Sequence, residues 1–421
     1  MNRLVLGAQW GDEGKGKIVD ILSEDADVIV RYQGGSNAGH TVCIEDKKYI
    51  LHLIPSGILH KDKICVIGNG VVIDPASFLE EKRALEELSV NIENRLMISE
   101  KAHLVMPYHK VLDEIKELQL GDGKIGTTKK GIGPCYVDKY NRVGIRVCDL
   151  LSNDILKDKI HTNVEQVNKL CDLYKIERFD ADKIFKQYKE YAYELKDYIR
   201  NTVYYLNGVV KNGKSVLFEG AQGSLLDVDF GTYPYVTSSS PTVGGAFTGT
   251  GLSYKALNNV VGVMKAYATR VGNGPFPSEL TGETGEEIRQ KGAEFGATTG
   301  RPRRCGWLDL VAVKYAVMLS GIEDIALTKL DVLDEMEDVK VCVGYEYEGR
   351  KIGYIPSQLE EFAKCQPVYK TFKGWNKTND ISQYSDLPKE ARMYIEYIEN
   401  FLGVRISIIS TGAKREETII R

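Results

Sequence analysis

The chain has 421 residues, of which 43% are hydrophobic and 27% charged, and its formal net charge is −4. This composition supports a large packed core and excludes extended disorder. The slightly acidic balance excludes a general nucleic-acid binder, which needs a basic face. No apolar run reaches the ~18 residues that a membrane span requires. The eight cysteines include no Cys-x-x-Cys pair, and Met1-Asn2-Arg3 leads straight into the strand-like Leu4-Val5-Leu6. A reduced, cytoplasmic protein with buried thiols is therefore expected.

In chain order, short apolar runs recur at Leu4–Leu6, Val28–Val30, Ile64–Ile67, Val216–Phe218, Val260–Met264, Ile325–Leu327 and Ile406–Ile409. They are rich in β-branched residues and mostly do not alternate with polar ones, so they read as strands buried on both faces of a largely parallel sheet. Helical patterns lie between them at Pro75–Leu88, Tyr108–Leu118 and Asp309–Leu319. Interleaved strands and helices predict an α/β fold, with a large, mostly parallel central sheet flanked by helices and smaller subdomains. The stretch from Asn153 to Leu206 has no glycine and is rich in Lys, Glu, Asp and Tyr at helical spacing. It predicts a mainly helical insertion, about 151–208, within a single domain covering 1–421.

Glycine makes up 41 residues and is clustered. The first cluster, Gly7-Ala8-Gln9-Trp10-Gly11-Asp12-Glu13-Gly14-Lys15-Gly16-Lys17, follows the first strand. A Gly-rich turn from strand to helix aims backbone N–H groups and a helix N-terminus at one point, an anion cradle. Gly11 to Lys17 fits the G-x-x-x-x-G-K spacing of a phosphate loop, but Ile18 stands where Ser or Thr would hold magnesium. Asp12, inside the loop, is a candidate metal ligand, base, or both. The second cluster, Gly34-Gly35-Ser36-Asn37-Ala38-Gly39-His40-Thr41, follows the second strand. Both loops then belong at the carboxyl ends of strands, where open α/β sheets bind ligands. His40 is a candidate general acid. Later, Thr328-Lys329-Leu330-Asp331 follows a buried strand. A carboxylate there can accept from both N1–H and the 2-amino group of guanine, a donor pair that adenine lacks.

The pairing of Gly11–Lys17 with Gly34–Val42 resembles the adenylosuccinate synthetase family. Further matches run in order: Gly126-Thr127-Thr128 to Gly131-Ile132-Gly133-Pro134, Phe218–Gly223, Gly231–Ser238, Gly274–Pro277, Ala297–Arg301, Thr328–Asp331, Lys373–Asn376 and Ser410-Thr411-Gly412. The resemblance implies GTP-dependent ligation of IMP and L-aspartate to adenylosuccinate, GDP and phosphate through a 6-phosphoryl-IMP intermediate, the first committed step from IMP to AMP.

The same resemblance implies the site residues. Asp12, His40, Lys15 and Gln222 are the expected catalytic groups. Asp12, Glu13, Gly14, Lys15, Asn37, Ala38, Gly39, His40, Thr128, Arg142, Gln222, Thr237 and Arg301 are expected to contact IMP. Ala297, Thr298, Thr299, Gly300, Arg301, Pro302 and Arg303 form the expected aspartate loop, whose arginines offer planar donor forks to carboxylates. GTP is expected on Gly11, Asp12, Glu13, Gly14, Lys15, Gly16, Lys17, Gly39, His40, Thr41, Arg303, Lys329, Leu330, Asp331, Ser410, Thr411 and Gly412. Mg2+ is expected on the Asp12 carboxylate and the Gly39 carbonyl. Arg142 matches an arginine that reaches the IMP phosphate of the neighbouring subunit, which implies a homodimer.

Ala413 departs from the proline usual after Ser410-Thr411-Gly412. The loops Gly39–Val42, Gly121–Lys130 and Thr298–Arg304 are expected to gain order when ligands bind. A regulatory phosphate-loop GTPase is the alternative reading; it would need a Ser or Thr at position 18 and has no use for a pocket of Gln222, Thr237 and Arg301.

Overall fold

The computed structural model describes residues 1–44, 47–119, 121, 126–296 and 300–421, without the side chain of Lys48. Among these residues a ten-stranded sheet forms the centre of an α/β fold. Its spatial order is Thr418–Ile420, Arg405–Ser410, Asp324–Thr328, Asn259–Lys265, Arg3–Gly7, Val216–Glu219, Val28–Arg31, Ile64–Ile67, Leu96–Ser99 and Ile199–Arg200. Nine of these strands run parallel, and Thr418–Ile420 closes one edge antiparallel to its neighbour.

All seven apolar runs become neighbours in this sheet, each within a residue of its expected ends. Their side chains alternate between two cores, as the two-residue period of a strand requires. Leu4, Leu6, Val28, Val30 and Phe218 join one cluster, whereas Val5, Ile29, Leu217, Val261 and Val263 join the other. Burial on both faces explains why the runs do not alternate in polarity. The sheet also includes Leu96–Ser99 and Ile199–Arg200, which are too short or too polar to stand out in the sequence.

The three expected helices are observed at Pro75–Glu87, Pro107–Gln119 and Leu310–Ser320. Two begin on an aspartate cap, as the orphan amides of a first turn require: Asp74 accepts from Ala76 N, and Asp309 accepts from Val311 N and Ala312 N. The glycine-poor stretch folds as helices Asn153–Tyr174 and Ala181–Leu195, the edge strand Ile199–Arg200, and helix Thr202–Lys211. Leu156, Ile160, Val164, Ile184, Tyr188 and Leu195 pack into the second core.

A smaller sheet holds Tyr267–Arg270, Arg304–Asp309, Asp338–Tyr347 and Arg350–Ile352, with Gln366–Lys373 paired to Asp338–Tyr347. The strands His40–Ile44 and Lys47–Leu51 pair as a separate antiparallel hairpin. Among the described residues no helix is long and apolar enough to cross a membrane. All eight cysteines are free thiols.

Candidate active site

The glycine clusters and the Thr328–Asp331 turn all leave the carboxyl ends of central strands. The first turn leaves Gly7 and passes through left-handed backbone at Gly11 (φ 85°), Asp12 (φ 58°) and Gly14 (φ 86°). Helix Lys15–Ser23 then starts on Gly14 with no side-chain cap. Its first-turn amides are therefore left for an anion, favoured there by the helix dipole. Gly16 allows a close approach: a Cβ there would lie 3.0 Å from the Thr41 carbonyl and 3.2 Å from His40 Cβ. Inside the loop Glu13 is fully buried. It accepts from Gln9 N at 3.1 Å and Gly11 N at 2.8 Å and pairs with Lys15. Ile18 belongs to the second core, so no hydroxyl faces the loop from that position.

Two strands over, beyond Val216–Glu219, the Gly34–Thr41 segment brings in His40. Its Nδ1 meets Glu219 Oε1, at the end of strand Val216–Glu219. Glu219 also accepts from Ser56 N at 2.8 Å and Ser56 Oγ at 2.9 Å. Arg31, almost fully buried, donates to the carbonyls of Gln33, Gly35 and His52 and adds positive charge beside Glu219. Burial works to raise the Glu219 pKa, but His40 and Arg31 outweigh it and hold the carboxylate below its ordinary range. Burial lowers the His40 pKa, against the pull of Glu219. Gln222, in left-handed backbone (φ 57°), reaches Asn37 Oδ1 at 3.4 Å. Ala38 is buried and Gly39 is exposed.

On the other side of the first strand, Thr328 Oγ1 donates to the Glu13 carbonyl at 2.5 Å, which docks the Thr328–Asp331 turn under the phosphate loop. Lys329 has left-handed backbone (φ 58°), and Leu330 is fully buried. The carboxyl-terminal strap docks on the first helix: Lys17 Nζ donates to Ser410 Oγ at 2.7 Å and to the carbonyls of Gly412 and Glu417 at 2.9 Å. Thr411 is buried beneath it. Burial pushes the Lys17 ammonium down to about 8, against Glu417 and Asp331.

Arg303 closes the remaining side. Its Nε lies 2.8 Å from Asp12 Oδ2, and its Nη1 donates to Glu294 Oε2 at 2.6 Å. Glu294 also holds Lys265, Lys329 and Tyr267. Next to it Gly300 is left-handed (φ 63°), and Arg301 and Pro302 are exposed. Ala297, Thr298 and Thr299 of the expected aspartate loop lie outside the described residues, as do residues 122–125 of the Gly121–Lys130 loop.

The expected IMP residues are less tightly gathered. Thr128 is exposed on a turn whose neighbours are held: Gly126 N donates to Glu117 Oε2 at 2.9 Å, Gly131 N to Asp113 Oδ2 at 3.1 Å, and Lys130 Nζ to the Ser36 carbonyl at 2.7 Å. Thr237 is half-buried and donates through its amide to Leu226 O at 2.8 Å. Arg142 caps helix Ile132–Asn141 in left-handed backbone (φ 65°) and is exposed, beside exposed Val137, Tyr140 and Val143.

Four buried atoms of expected site side chains have no hydrogen-bond partner among the described residues: His40 Nε2, Gln222 Oε1, Asp331 Oδ1 and Arg303 Nε, the last facing Asp12 as an ion pair. Buried polar groups are normally paired, so His40 Nε2, Gln222 Oε1 and Asp331 Oδ1 are available to a polar ligand. Asp12, about a third exposed, and the carbonyl of the exposed Gly39 are hard oxygen donors of the kind that suit Mg2+. Sequence reasoning assigned no role to Glu219, although Phe218–Gly223 was among the matched segments, and none to Arg31, Lys265, Arg270 or Glu294. Arg270 is almost fully buried and donates to Asn273 O, Pro275 O, Thr232 Oγ1 and Tyr235 O, so it ties the segment before Thr237 to residues 273–275. The available signal for Arg31, Glu219 and Lys265 was a charged residue ending an apolar strand run.

Comparison with known proteins agrees with this geometry. A family model described as adenylosuccinate synthetase matches residues 4–419. Adenylosuccinate synthetase of Thermodesulfovibrio yellowstonii is 54% identical over 420 residues, covering 99% of this chain and 98% of that one. The enzyme of Caldanaerobacter subterraneus subsp. tengcongensis is 53% identical at the same coverage. A solved structure of fully ligated adenylosuccinate synthetase from Plasmodium falciparum superposes with a TM-score of 0.94 at 44% identity, covering 100% of this chain and 99% of its own. A cyanophage S-2L succinoaminodeoxyadenylate synthetase shares the fold alone, with a TM-score of 0.62 at 19% identity. Matched over nearly its full length, the chain belongs to the adenylosuccinate synthetase family.

Proposed function

We infer that the chain is a GTP-dependent ligase that joins IMP to L-aspartate through a C–N bond and yields adenylosuccinate, GDP and phosphate. The residue roles and the route are our proposal. The 6-oxo group of IMP is a poor leaving group. Asp12 takes the N1 proton, O6 attacks the γ-phosphorus of GTP, and GDP leaves. The aspartate amine then attacks C6, and phosphate departs with the oxygen.

Phosphoryl transfer needs positioning and charge neutralisation more than covalent help. The uncapped amides of helix Lys15–Ser23 and the Lys15 ammonium supply these for the phosphates. His40, oriented by Glu219 through Nδ1, presents Nε2 to the transferring group. Burial keeps its pKa low in the free enzyme, and the negative phosphoryl oxygens would restore the proton that Nε2 donates. Gln222 and Thr237, with Thr128, hold IMP; residues 297–303 hold aspartate; Lys329–Asp331 and Ser410–Gly412 enclose guanine. Mg2+, held by Asp12 and the Gly39 carbonyl, would neutralise charge on the phosphates. Arg142, exposed on the outer surface, reaches the IMP phosphate of a second copy in a homodimer.

The observation that carries the residue assignments is that His40 Nε2, Gln222 Oε1 and Asp331 Oδ1, in segments that leave the carboxyl ends of central strands, are buried without partners among the described residues. The test follows GTP hydrolysis in the purified protein. Phosphate release is expected only when IMP and aspartate are both present. Steady release with GTP alone would favour a GTPase switch.

A further inference from the structure

Glu294 belongs to no recognised motif, yet its fully buried carboxylate is the most heavily used acid at the site. Oε1 receives Lys329 Nζ at 2.7 Å, Lys265 Nζ at 3.1 Å and Tyr267 OH at 2.5 Å, and Oε2 receives Arg303 Nη1 at 2.6 Å. The backbone repeats the grip. Lys329 Nζ also donates to Gly292 O at 2.7 Å, and Arg303 N donates to Glu294 O at 2.9 Å. The donors come from three separate segments. Lys265 and Tyr267 flank the end of a central strand, Lys329 follows the next strand, and Arg303 is the last residue of the aspartate loop. Arg303 in turn reaches Asp12 at 2.8 Å. Three cations thus share one buried acid, and Arg303 also pairs with Asp12.

We propose that Glu294 is a positioning residue for the reaction: it fixes Lys329 at the guanine subsite and Arg303 beside Asp12 and the aspartate loop as a single unit, so that guanine nucleotide and aspartate bind cooperatively through it. This rests on the assignment of Lys329–Asp331 to guanine. Loss of the carboxylate would leave buried Lys265 and partly buried Arg303 and Lys329 to repel one another, and the latter two would swing out of register. IMP, held by other segments, would notice least.

The test compares Michaelis constants in the full-length enzyme. Glu294→Gln keeps the shape and removes the charge. The constants for GTP and aspartate are expected to rise roughly tenfold each, with that for IMP changing less than about twofold. GDP binding measured by titration calorimetry in the presence of IMP, with and without L-aspartate, should show positive coupling in the wild type and none in the variant. Glu294→Asp should restore part of both effects, and it carries the test if Glu294→Gln does not fold. The double variant Glu294→Gln/Lys265→Met removes one acid and one base. Its GTP and aspartate constants should stay high, because Lys329 and Arg303 remain unheld. Full recovery would overturn the proposal by showing that Glu294 only balances charge. Equal changes in all three constants, or none, would also overturn it. Asp331→Asn, run in parallel, separates the two readings. If that variant weakens GTP while Glu294→Gln does not, only this inference fails. If Asp331→Asn leaves GTP untouched, the guanine assignment falls and takes this inference with it.

Discussion

Glu219 and Glu294 stand on either side of the first strand, Arg3–Gly7, one reached through Val216–Glu219 and the other through Asn259–Lys265 and Asp324–Thr328. Both are fully buried acids that stay ionised because cations outweigh the cost of burial. They use that charge differently. Glu219 binds one ring nitrogen of His40 and leaves the other without a partner among the described residues. Glu294 is saturated by four side-chain donors. A carboxylate that orients a single imidazole leaves it poised for proton traffic. A carboxylate surrounded by lysine and arginine makes a rigid mount. Asp12 lies between them, tied to the Glu294 side through Arg303.

Asp12→Asn breaks the link itself and should have the largest effect. An amide cannot take the N1 proton, and loss of a general base costs ~10²–10⁴ in rate. Single-turnover phosphate release should collapse while GTP binding persists. Near-normal turnover would remove Asp12 from the chemistry.

The Glu219 side comes next. Glu219→Gln should lower kcat roughly 10–100-fold, as loss of an orienting outer partner does at other catalytic centres, with little change in the constant for GTP. Combining it with His40→Asn should cost no more than His40→Asn alone, because the two act as a unit. Additive losses would mean that Glu219 does something other than orient His40.

A smaller signal tests whether the site is completed by a neighbour. Arg142→Leu and Asp12→Asn chains, mixed and allowed to exchange, should regain about a quarter of wild-type activity at limiting IMP, since half of random dimers contain one intact site. No recovery after verified exchange would count against a shared site.

The smallest effect concerns stability against pH. Both acids have folded pKa values depressed below an unfolded value of 4.5. Each therefore stabilises the fold above that value, and the contribution is lost as pH falls below it. Urea midpoints measured from neutral to acidic pH should fall less steeply in Glu294→Gln and in Glu219→Gln than in the wild type. The greater flattening is expected for Glu294→Gln, because three cations depend on that acid. An unchanged acid limb in both variants would show that these acids are not ionised in the fold.

The strands and the glycine loops were legible because each is a local signal: a β-branched run followed by small residues. The two acidic hubs were not. Glu219 meets His40 across 179 positions of sequence, and Glu294 finds Lys265 and Lys329 across 29 and 35. No spacing rule encodes such pairings; only the strand order brings them together. Thr328–Asp331 was readable as a guanine-facing turn, but the contact of Thr328 with Glu13, 315 positions away, depends on strand Asn259–Lys265 lying between their strands. The hairpin of His40–Ile44 with Lys47–Leu51 also escaped notice, since its segments carry mixed charge and little alternation.

The grip of Lys17 on Ser410, Gly412 and Glu417 has a bearing on how the protein is made. The nucleotide loop leaves the ribosome some four hundred residues before the segment that covers it is synthesised. Until then the Lys17 ammonium lacks all three oxygens that receive it. A nascent chain whose residues 410–417 are still inside the exit tunnel cannot form a closed guanine site, so guanine nucleotide cannot stabilise it during translation.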